Sequence, residues 1–163
     1  MEKIIFLDID GVLNSQYSFK EKKEERLLLN KIVSDDIDIV VKKVMCDIDY
    51  EKIKLLKYIT DVTCAKIVVC SSLRRTKYYI FVEEKLIEMG LPIVGQTEYI
   101  RNKRGEEIRK CLTDNNVDKF IILDDEVFDD YNELINYLVK TDFYNDGLTE
   151  DTASEAIKLL IKK

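Results

Sequence analysis

Three short, largely apolar runs constrain the fold of this 163-residue chain more than any other feature. They occupy residues 4–7, 66–70 and 120–123, and their apolar residues are consecutive rather than alternating with polar ones. Such runs are typical of parallel strands that are buried on both faces of a sheet. We therefore predict that each run is a buried strand of one parallel sheet.

Helical patterns alternate with these runs along the chain. In each pattern, apolar residues recur at a spacing that places them on one face of a helix. These patterns cover residues 50–62, 77–89, 105–115 and 149–161. Weaker strand signals lie at residues 91–94 and 138–141. The alternation predicts right-handed βαβ crossovers and hence an α/β fold, a three-layer α/β/α Rossmann-like domain around a central parallel sheet.

Residues 15–49 fit this alternation less well. They combine a charged helical stretch with residues 37–44, a run rich in β-branched side chains. About 35 residues are too few for a separate domain. We therefore expect a single domain over residues 1–163, with a small flap, hairpin or minimal cap insertion at 15–49. Residues 73–102 are also too few for a large cap domain.

The composition excludes several classes of protein. The chain has no histidine, which excludes Ser-His-Asp and Cys-His catalysis, so hydrolytic chemistry would have to rest on carboxylates. Its net charge of -6 gives no overall basic field for nucleic acid. The four cysteines form no C-x-x-C pair. With no secretory leader and no apolar stretch of membrane-spanning length, we expect a reduced, cytoplasmic protein that does not enter a membrane.

Polar clusters follow the three central runs. Asp8, Asp10 and Gly11 come after the first, Ser71 and Ser72 after the second, and the third is followed by Asp124 and Asp125. Ligands of open parallel sheets bind outside the carboxyl ends of the strands. We therefore expect these side chains to converge on one site.

The acidic residues suit two different tasks. Asp8 and Asp10, two positions apart, could divide the attack on phosphorus from proton transfer to the leaving group. Asp124 and Asp125 could join Asp8 in an oxygen-only site for Mg²⁺. The alternatives are ordinary turn chemistry for the first pair and, for the second, the cap of a helix at residues 128–139.

Hydroxyl groups and cations could hold a phosphate. Ser71 and Ser72 would form a phosphate cradle at a helix start, although either could be an ordinary helix cap. Four basic residues are candidates for neutralising phosphate oxygens, with a solvated surface role as the alternative for each. They are Arg74, Arg75, Lys103 and Arg104.

Four motifs in this order resemble those of the haloacid dehalogenase (HAD) superfamily of phosphatases. They are FLDIDGVLN at residues 6–14, VVCSS at 68–72, KRGEEI at 103–108 and ILDDE at 122–126. The chain is most similar to the small, cap-poor HAD domains of RNA-repair proteins and polynucleotide kinase-phosphatases. The strings that carry this second resemblance are CSSLRR at 70–75, RGEEIRKCL at 104–112 and DGLTEDTASEAI at 146–157. Leu73 and Cys111 depart from it, because that branch would have tryptophan at both positions.

The resemblance implies a catalytic scheme. Asp8 would accept the phosphoryl group as an aspartyl-phosphate, and Asp10 would be the acid and base. Mg²⁺ would be held by Asp8, the main-chain carbonyl of Asp10 and Asp124, with support from Asp125. Ser71 would hold a phosphate oxygen. Arg104 is the best match to the lysine of the third motif, with Lys103 as the neighbouring candidate.

The function implied is a Mg²⁺-dependent phosphomonoester hydrolase. Its favoured partner is an RNA or DNA end that carries a phosphate, such as a 3′-phosphate. Basic residues that could form a local rim for it are Arg74, Arg75, Arg101, Lys103 and Arg104. The chain would be a monomer or a small homo-oligomer.

Three other functions stay open at this point. One is a small-molecule or nucleotide phosphatase in which residues 15–49 form a lid. Another is a catalytically silent binding module of the same fold. A signalling receiver domain is the third, but its phosphorylated aspartate would lie on a middle strand, where this chain has Ser71.

Overall fold

The computed structural model describes residues 2–162, so residues 1 and 163 of the predicted domain lie outside the described part. Within residues 2–162, five strands form one parallel sheet in the order β3-β2-β1-β4-β5. The strands are β1 (Lys3–Leu7), β2 (Lys66–Val69), β3 (Ile93–Gln96), β4 (Lys119–Asp124) and β5 (Leu138–Lys140). The three runs that the sequence analysis placed in the sheet are its three central strands.

The register of the sheet brings the strand ends together. Leu7 pairs with Val69 on one side and with Leu123 on the other. The residues that follow these three positions therefore leave the sheet at the same edge, as parallel strands require. This shared edge explains why three distant polar clusters meet.

Helices connect the strands. The α-helices are α1 (Gln16–Glu21), α2 (Lys23–Asn30), α3 (Ile37–Asp47), α4 (Tyr50–Thr63), α5 (Tyr79–Glu88), α6 (Arg104–Asp114) and α7 (Glu150–Ile161). Short 3₁₀ helices cover Ser72–Arg75 and Asn132–Tyr137. None of the helices in residues 2–162 has the length and apolar character needed to cross a lipid bilayer.

The two faces of the sheet bury separate apolar clusters. Along β1, Ile5 and Leu7 pack into a cluster with residues of α4, α5 and α7, whereas Ile4 and Phe6 pack with Ile108 of α6 on the other face. This alternation follows from the two-residue period of a strand. Both faces are therefore covered, and the predicted three-layer α/β/α fold is confirmed.

The β-branched run at residues 37–44 is helical, so a hairpin there is wrong. Asp36 caps α3 through a 2.9 Å hydrogen bond from the main-chain N–H of Asp38 to its side chain. Val41 and Cys46 are buried by the rest of the domain. Tertiary burial and a good cap thus outweigh the strand preference of valine and isoleucine. Residues 15–49 hold α1, α2 and α3.

The alternative prediction of a helix at residues 128–139 is also wrong. Only Asn132–Tyr137 form a 3₁₀ helix, and the chain then enters β5 at Leu138. Asn132 has a φ of 45°, which an α-helix does not permit. The neighbouring loop is held by α6, because Arg109 donates to the main-chain oxygen of Asp130 at 2.7 Å.

Candidate active site

The hydrogen-bond ladder of the sheet extends one residue past the central strands. The N–H of Asp8 donates to the oxygen of Leu123 at 2.9 Å, and the N–H of Cys70 donates to the oxygen of Leu7 at 2.9 Å. These bonds fix the backbone on both sides of Asp8. Its side chain therefore projects from a rigid strand end rather than from a flexible loop.

Three carboxylates form a compact cluster at this edge. One oxygen from each of Asp8, Asp124 and Asp125 lies within 4.8 Å of the others. Asp8 is 8% exposed and Asp124 is 1% exposed. Burial, followed by the charge of Asp124, raises the pKa of Asp8 to about 7. Burial also raises the pKa of Asp124 and of Asp125. Burial of the cluster thus disfavours the charged form of each carboxyl.

Arg104 is the cation at the centre of this cluster. Its Nη1 donates to Oδ2 of Asp124 at 2.8 Å and lies 3.5 Å from Oδ1 of Asp8. The guanidinium lies over the ring of Phe128, 4.7 Å from its centroid. Burial alone would lower the pKa of Arg104, but Cys70, Asp8 and Asp124 together raise it above its ordinary value. Arg104 therefore stays charged between the two buried aspartates.

The loop after β1 presents Asp10 to solvent. Asp10 is exposed, and its Oδ1 accepts a 2.8 Å hydrogen bond from Nδ2 of Asn14. Oδ1 of Asn14 in turn accepts from the N–H of Gly11 at 2.9 Å. The carboxylate of Asp10 is outside the group of Asp8, Asp124 and Asp125.

Gly11 allows the loops after β1 and β4 to approach each other. Its φ is 72°, and a Cβ atom added there would lie 2.2 Å from Cγ of Asp125. Only glycine combines this backbone conformation with so little space. The glycine after the two aspartates therefore permits the close approach of Asp125.

The two serines have different environments. Ser71 is fully buried, its Oγ accepts from the N–H of Leu73 at 3.4 Å, and its hydrogen bond to Asp8 lowers the pKa of that carboxyl. Ser71 thus caps the 3₁₀ helix and also reaches the cluster. Ser72 is exposed and lines the cleft described below. Ser71 therefore contacts the carboxylate cluster, and Ser72 lies at the wall of the cleft above it.

The other basic candidates lie away from the carboxylates. Lys103 is half exposed, and its Nζ lies 3.4 Å from Oε1 of Glu106. Arg74 has a side chain that is only 4% exposed, and it donates to Glu107 at 2.5 Å and to the main-chain oxygens of Cys70, Ser71 and Thr97. Arg75 and Arg101 are exposed. Among the basic residues that the sequence offered as candidates, Arg104 is the one that contacts the carboxylate cluster.

Two residues that the sequence analysis did not single out support the site. Tyr131 donates its hydroxyl to Oδ2 of Asp124 at 3.1 Å. Glu107 is buried and accepts from Arg74, from Oγ1 of Thr97 at 3.3 Å and from the N–H of Ile100 at 3.0 Å. The sequence offered one signal for Glu107, its position one helical turn after Arg104. It offered none for Tyr131.

A large cleft opens over these groups. It has a volume of about 860 Å³ and is lined by Asp8, Asp10, Ser72, Arg104 and Asp125, among others. Phe19 of α1 also lines it, so the segment at residues 15–49 borders the cleft. A volume of this size is typical of sites for small organic ligands.

The comparison with known families agrees with this arrangement. A family model described as "HAD domain in Swiss Army Knife RNA repair proteins" matches residues 4–153. No curated protein and no solved structure matches the chain. The matched residues span β1 to the first turn of α7 and contain every carboxylate of the site. The chain therefore belongs to the family of HAD domains found in Swiss Army Knife RNA repair proteins.

Proposed function

We propose that this chain is a Mg²⁺-dependent phosphomonoester hydrolase that forms an aspartyl-phosphate on Asp8. The observation that carries the proposal is the position of Asp8. Its carboxylate lines the large cleft, lies in the cluster with Asp124 and Asp125, and is 3.5 Å from the guanidinium of Arg104. A carboxylate can attack a phosphate dianion only where positive charge offsets the repulsion between them.

The donor set fits a hard divalent cation. Asp8, Asp124 and Asp125 offer only oxygen atoms, which Mg²⁺ prefers. Burial raises the pKa of all three carboxyls, so a bound cation would stabilise their charged forms. These residues would hold the ion together with the main-chain carbonyl of Asp10. When bound, Mg²⁺ supplies charge neutralisation for the phosphate and for the carboxylates.

In the first half of the reaction, a carboxylate oxygen of Asp8 forms a bond to phosphorus as the ester P–O bond breaks. The leaving oxygen takes the proton of the Asp10 carboxyl. Asn14 holds Asp10 in place through its 2.8 Å hydrogen bond. Ser71 and Arg104 hold the phosphoryl oxygens during the transfer.

In the second half, Asp10 is a carboxylate and acts as the base. It takes a proton from a water molecule as the water oxygen bonds to phosphorus. The bond between phosphorus and Asp8 breaks, inorganic phosphate leaves, and Asp8 returns to its carboxylate form. Asp10 ends with the proton that it had at the start, so protons and electrons balance over the cycle.

The substrate that we propose is a phosphate at a nucleic-acid end. The family is described by its occurrence in RNA repair proteins. Arg75 and Lys103, which we call the basic rim, line a second recess of about 130 Å³ that shares Ser72, Arg104 and Phe128 with the cleft. With a net charge of -6, attraction of a polyanion has to be local, and the basic rim provides it.

Phosphate release tests the chemistry. The native chain should release phosphate from a generic aryl phosphate with Mg²⁺ and lose this activity in excess EDTA. Asp8→Asn should abolish it. Asp61→Asn is the matched control, because Asp61 is an exposed residue of α4 that pairs with Lys57. Full activity of Asp8→Asn would remove the proposal.

A substrate comparison tests the nucleic-acid assignment. We expect a higher kcat/KM for an oligonucleotide 3′-phosphate than for a mononucleotide or a sugar phosphate. Replacing Lys103 or Arg75 by alanine should reduce the salt dependence of oligonucleotide turnover. Equal turnover of mononucleotides would favour the nucleotide phosphatase instead. Retained oligonucleotide binding without any phosphate release would favour the silent binding module.

A further inference from the structure

Aromatic side chains line the cleft beside the carboxylates. Phe19 and Phe143 meet edge to face with ring centroids 5.6 Å apart, and Phe143 meets Tyr144 in the same way at 5.6 Å. All three rings line the cleft. Tyr144 is the outermost of them, with 77% of the residue exposed. An exposed aromatic ring at the end of such a row offers a face to a ligand.

The backbone that carries these rings is well anchored. The N–H of Gln16 donates to the oxygen of Phe143 at 2.7 Å, which ties this loop to α1. The N–H of Tyr144 donates to Oδ1 of Asp142 at 2.9 Å, and the N–H of Gly147 donates to the oxygen of Asp142 at 2.9 Å. A ring on an anchored backbone loses little entropy when it stacks on a ligand.

The leaving group of the proposed reaction must enter this cleft. Asp10 has to reach the leaving oxygen in order to protonate it. Asp10 lines the large cleft, whereas the second recess is lined by the basic rim. The group attached to the leaving oxygen would therefore occupy the large cleft, which Phe143 and Tyr144 also line.

The exposed charges that line the cleft favour an uncharged ring. Exposed Glu126 and Asp142 line the cleft together with the single lysine Lys140. Additional phosphates would be repelled here and attracted by the basic rim instead. A nucleobase is neutral and planar, and stacking of bases on aromatic side chains is a common mode of single-strand recognition.

We infer that Tyr144, supported by Phe143, is a stacking site for the base of the nucleotide that carries the scissile phosphate. The rest of the strand would then leave the cleft over the basic rim. This inference rests on the proposed function, since it names how the same site recognises its nucleic-acid end. It makes Tyr144 a specificity residue for substrates with a terminal base.

The kinetic test compares two oligonucleotides with a 3′-phosphate, one with a normal 3′-terminal base and one whose terminal residue is abasic. For the native chain we expect kcat/KM to be about tenfold higher with the base. Tyr144→Ala should remove most of this ratio, and Tyr144→Phe should retain it. Tyr58→Ala is the control, because Tyr58 is an exposed tyrosine of α4.

A binding test separates this inference from the proposed chemistry. Asp8→Asn protein, which should not turn over, is titrated into an oligonucleotide that ends in 2-aminopurine and a 3′-phosphate. Stacking on Tyr144 should quench the 2-aminopurine fluorescence. The double variant Asp8→Asn, Tyr144→Ala should bind without this quenching.

Each failure has a distinct signature. Quenching that depends on Tyr144, together with no phosphate release from the native chain, would retain the stacking site and overturn the proposed hydrolase. Phosphate release that is equal for the base and abasic ends in both the native chain and Tyr144→Ala would retain the hydrolase and overturn the stacking site. Quenching that persists in the variant without Tyr144 would also overturn the stacking site.

Discussion

Nη1 of Arg104 donates a 2.8 Å hydrogen bond to Oδ2 of Asp124, and the same nitrogen lies 3.5 Å from Asp8. Arg104 is the first residue of α6, and its side chain therefore connects the ends of β1 and β4. Lysine at this position would bring a point charge, whereas arginine brings a fixed planar fork.

Removing the guanidinium should disable the site. Arg104→Ala is expected to lower kcat/KM on an aryl phosphate by about 100-fold, because preorganised positive charge next to the transferred group is lost. Arg104→Lys should recover part of this loss, since it restores the charge without the fork. Lys110→Ala on the same helix is the control, because Lys110 is exposed and pairs with Asp114. An Arg104→Ala activity within twofold of the native value would contradict the role of Arg104.

The metal-free protein should become more stable when Asp8 is neutral. Because burial raises the folded-state pKa of Asp8 from 3.8 to about 7, the folded state binds more protons than the unfolded state between these values. The contribution of Asp8 to the free energy of unfolding is thus greatest below pH 4 and is lost as the pH rises through 7. In EDTA at pH 8, Asp8→Asn should raise the free energy of unfolding by about 1–3 kcal/mol. Urea unfolding of the native chain and Asp8→Asn at pH 5 and pH 8 measures this difference. An equal change in the free energy of unfolding at both pH values would contradict the raised pKa of Asp8.

A side chain at Gly11 should displace Asp125. In Gly11→Ala the new Cβ would lie 2.2 Å from Cγ of Asp125, and the φ of 72° is itself unfavourable for alanine. We expect a loss of about 1–3 kcal/mol in the free energy of unfolding and about tenfold weaker Mg²⁺ binding by calorimetry. Gly95→Ala is the matched control, because nothing lies within 4 Å of a Cβ added there. Native Mg²⁺ affinity in Gly11→Ala would show that Asp125 does not depend on this contact.

The hydroxyl of Tyr131 should tune the metal site. Tyr131→Phe keeps the buried ring and removes only the 3.1 Å hydrogen bond to Oδ2 of Asp124. If Asp124 holds Mg²⁺ as proposed, loss of this hydrogen bond should weaken Mg²⁺ binding about tenfold. Tyr137→Phe provides the comparison, since Tyr137 is 43% exposed and stacks on Phe120. If both variants bind Mg²⁺ equally, Tyr131 has only a packing role.

Glu107 should stabilise the folded chain through its buried ion pair with Arg74. Glu107→Gln leaves the buried guanidinium of Arg74 without its charge partner, which is expected to cost about 3 kcal/mol in the free energy of unfolding. Glu133→Gln breaks the more exposed ion pair with Arg109 and should lower the free energy of unfolding much less. Urea denaturation of both variants checks the difference, and similar losses would contradict the buried-pair interpretation.

Much of the site could be predicted from the sequence because it depends on strand ends. The apolar runs that end at Leu7 and Leu123 fix the register, and the residues that follow them, Asp8 and Asp124, meet at one edge of the sheet. The four motifs then place Arg104 at the start of a helix that faces them. These features are local in sequence, so their pattern is visible without the fold.

The rest depends on tertiary contacts that no local pattern encodes. Residues 37–44 are helical because the domain buries Val41 and a cap at Asp36 starts the helix. Arg74 looked like a phosphate-binding cation, but Glu107 and three main-chain oxygens bind it. The row of rings that ends at Tyr144 joins α1 to the loop after β5, two segments more than 100 residues apart in the sequence.

The most direct test of the account is a search for the phosphorylated protein. The variant Asp10→Asn should still transfer phosphate from an aryl phosphate, whose leaving group needs no acid, but should hydrolyse the aspartyl-phosphate slowly. Acid-quenched Asp10→Asn protein with Mg²⁺ should gain the mass of one phosphoryl group, and peptide mapping should locate it on Asp8. An active native chain whose Asp10→Asn variant never carries protein-bound phosphate would contradict the nucleophilic role of Asp8.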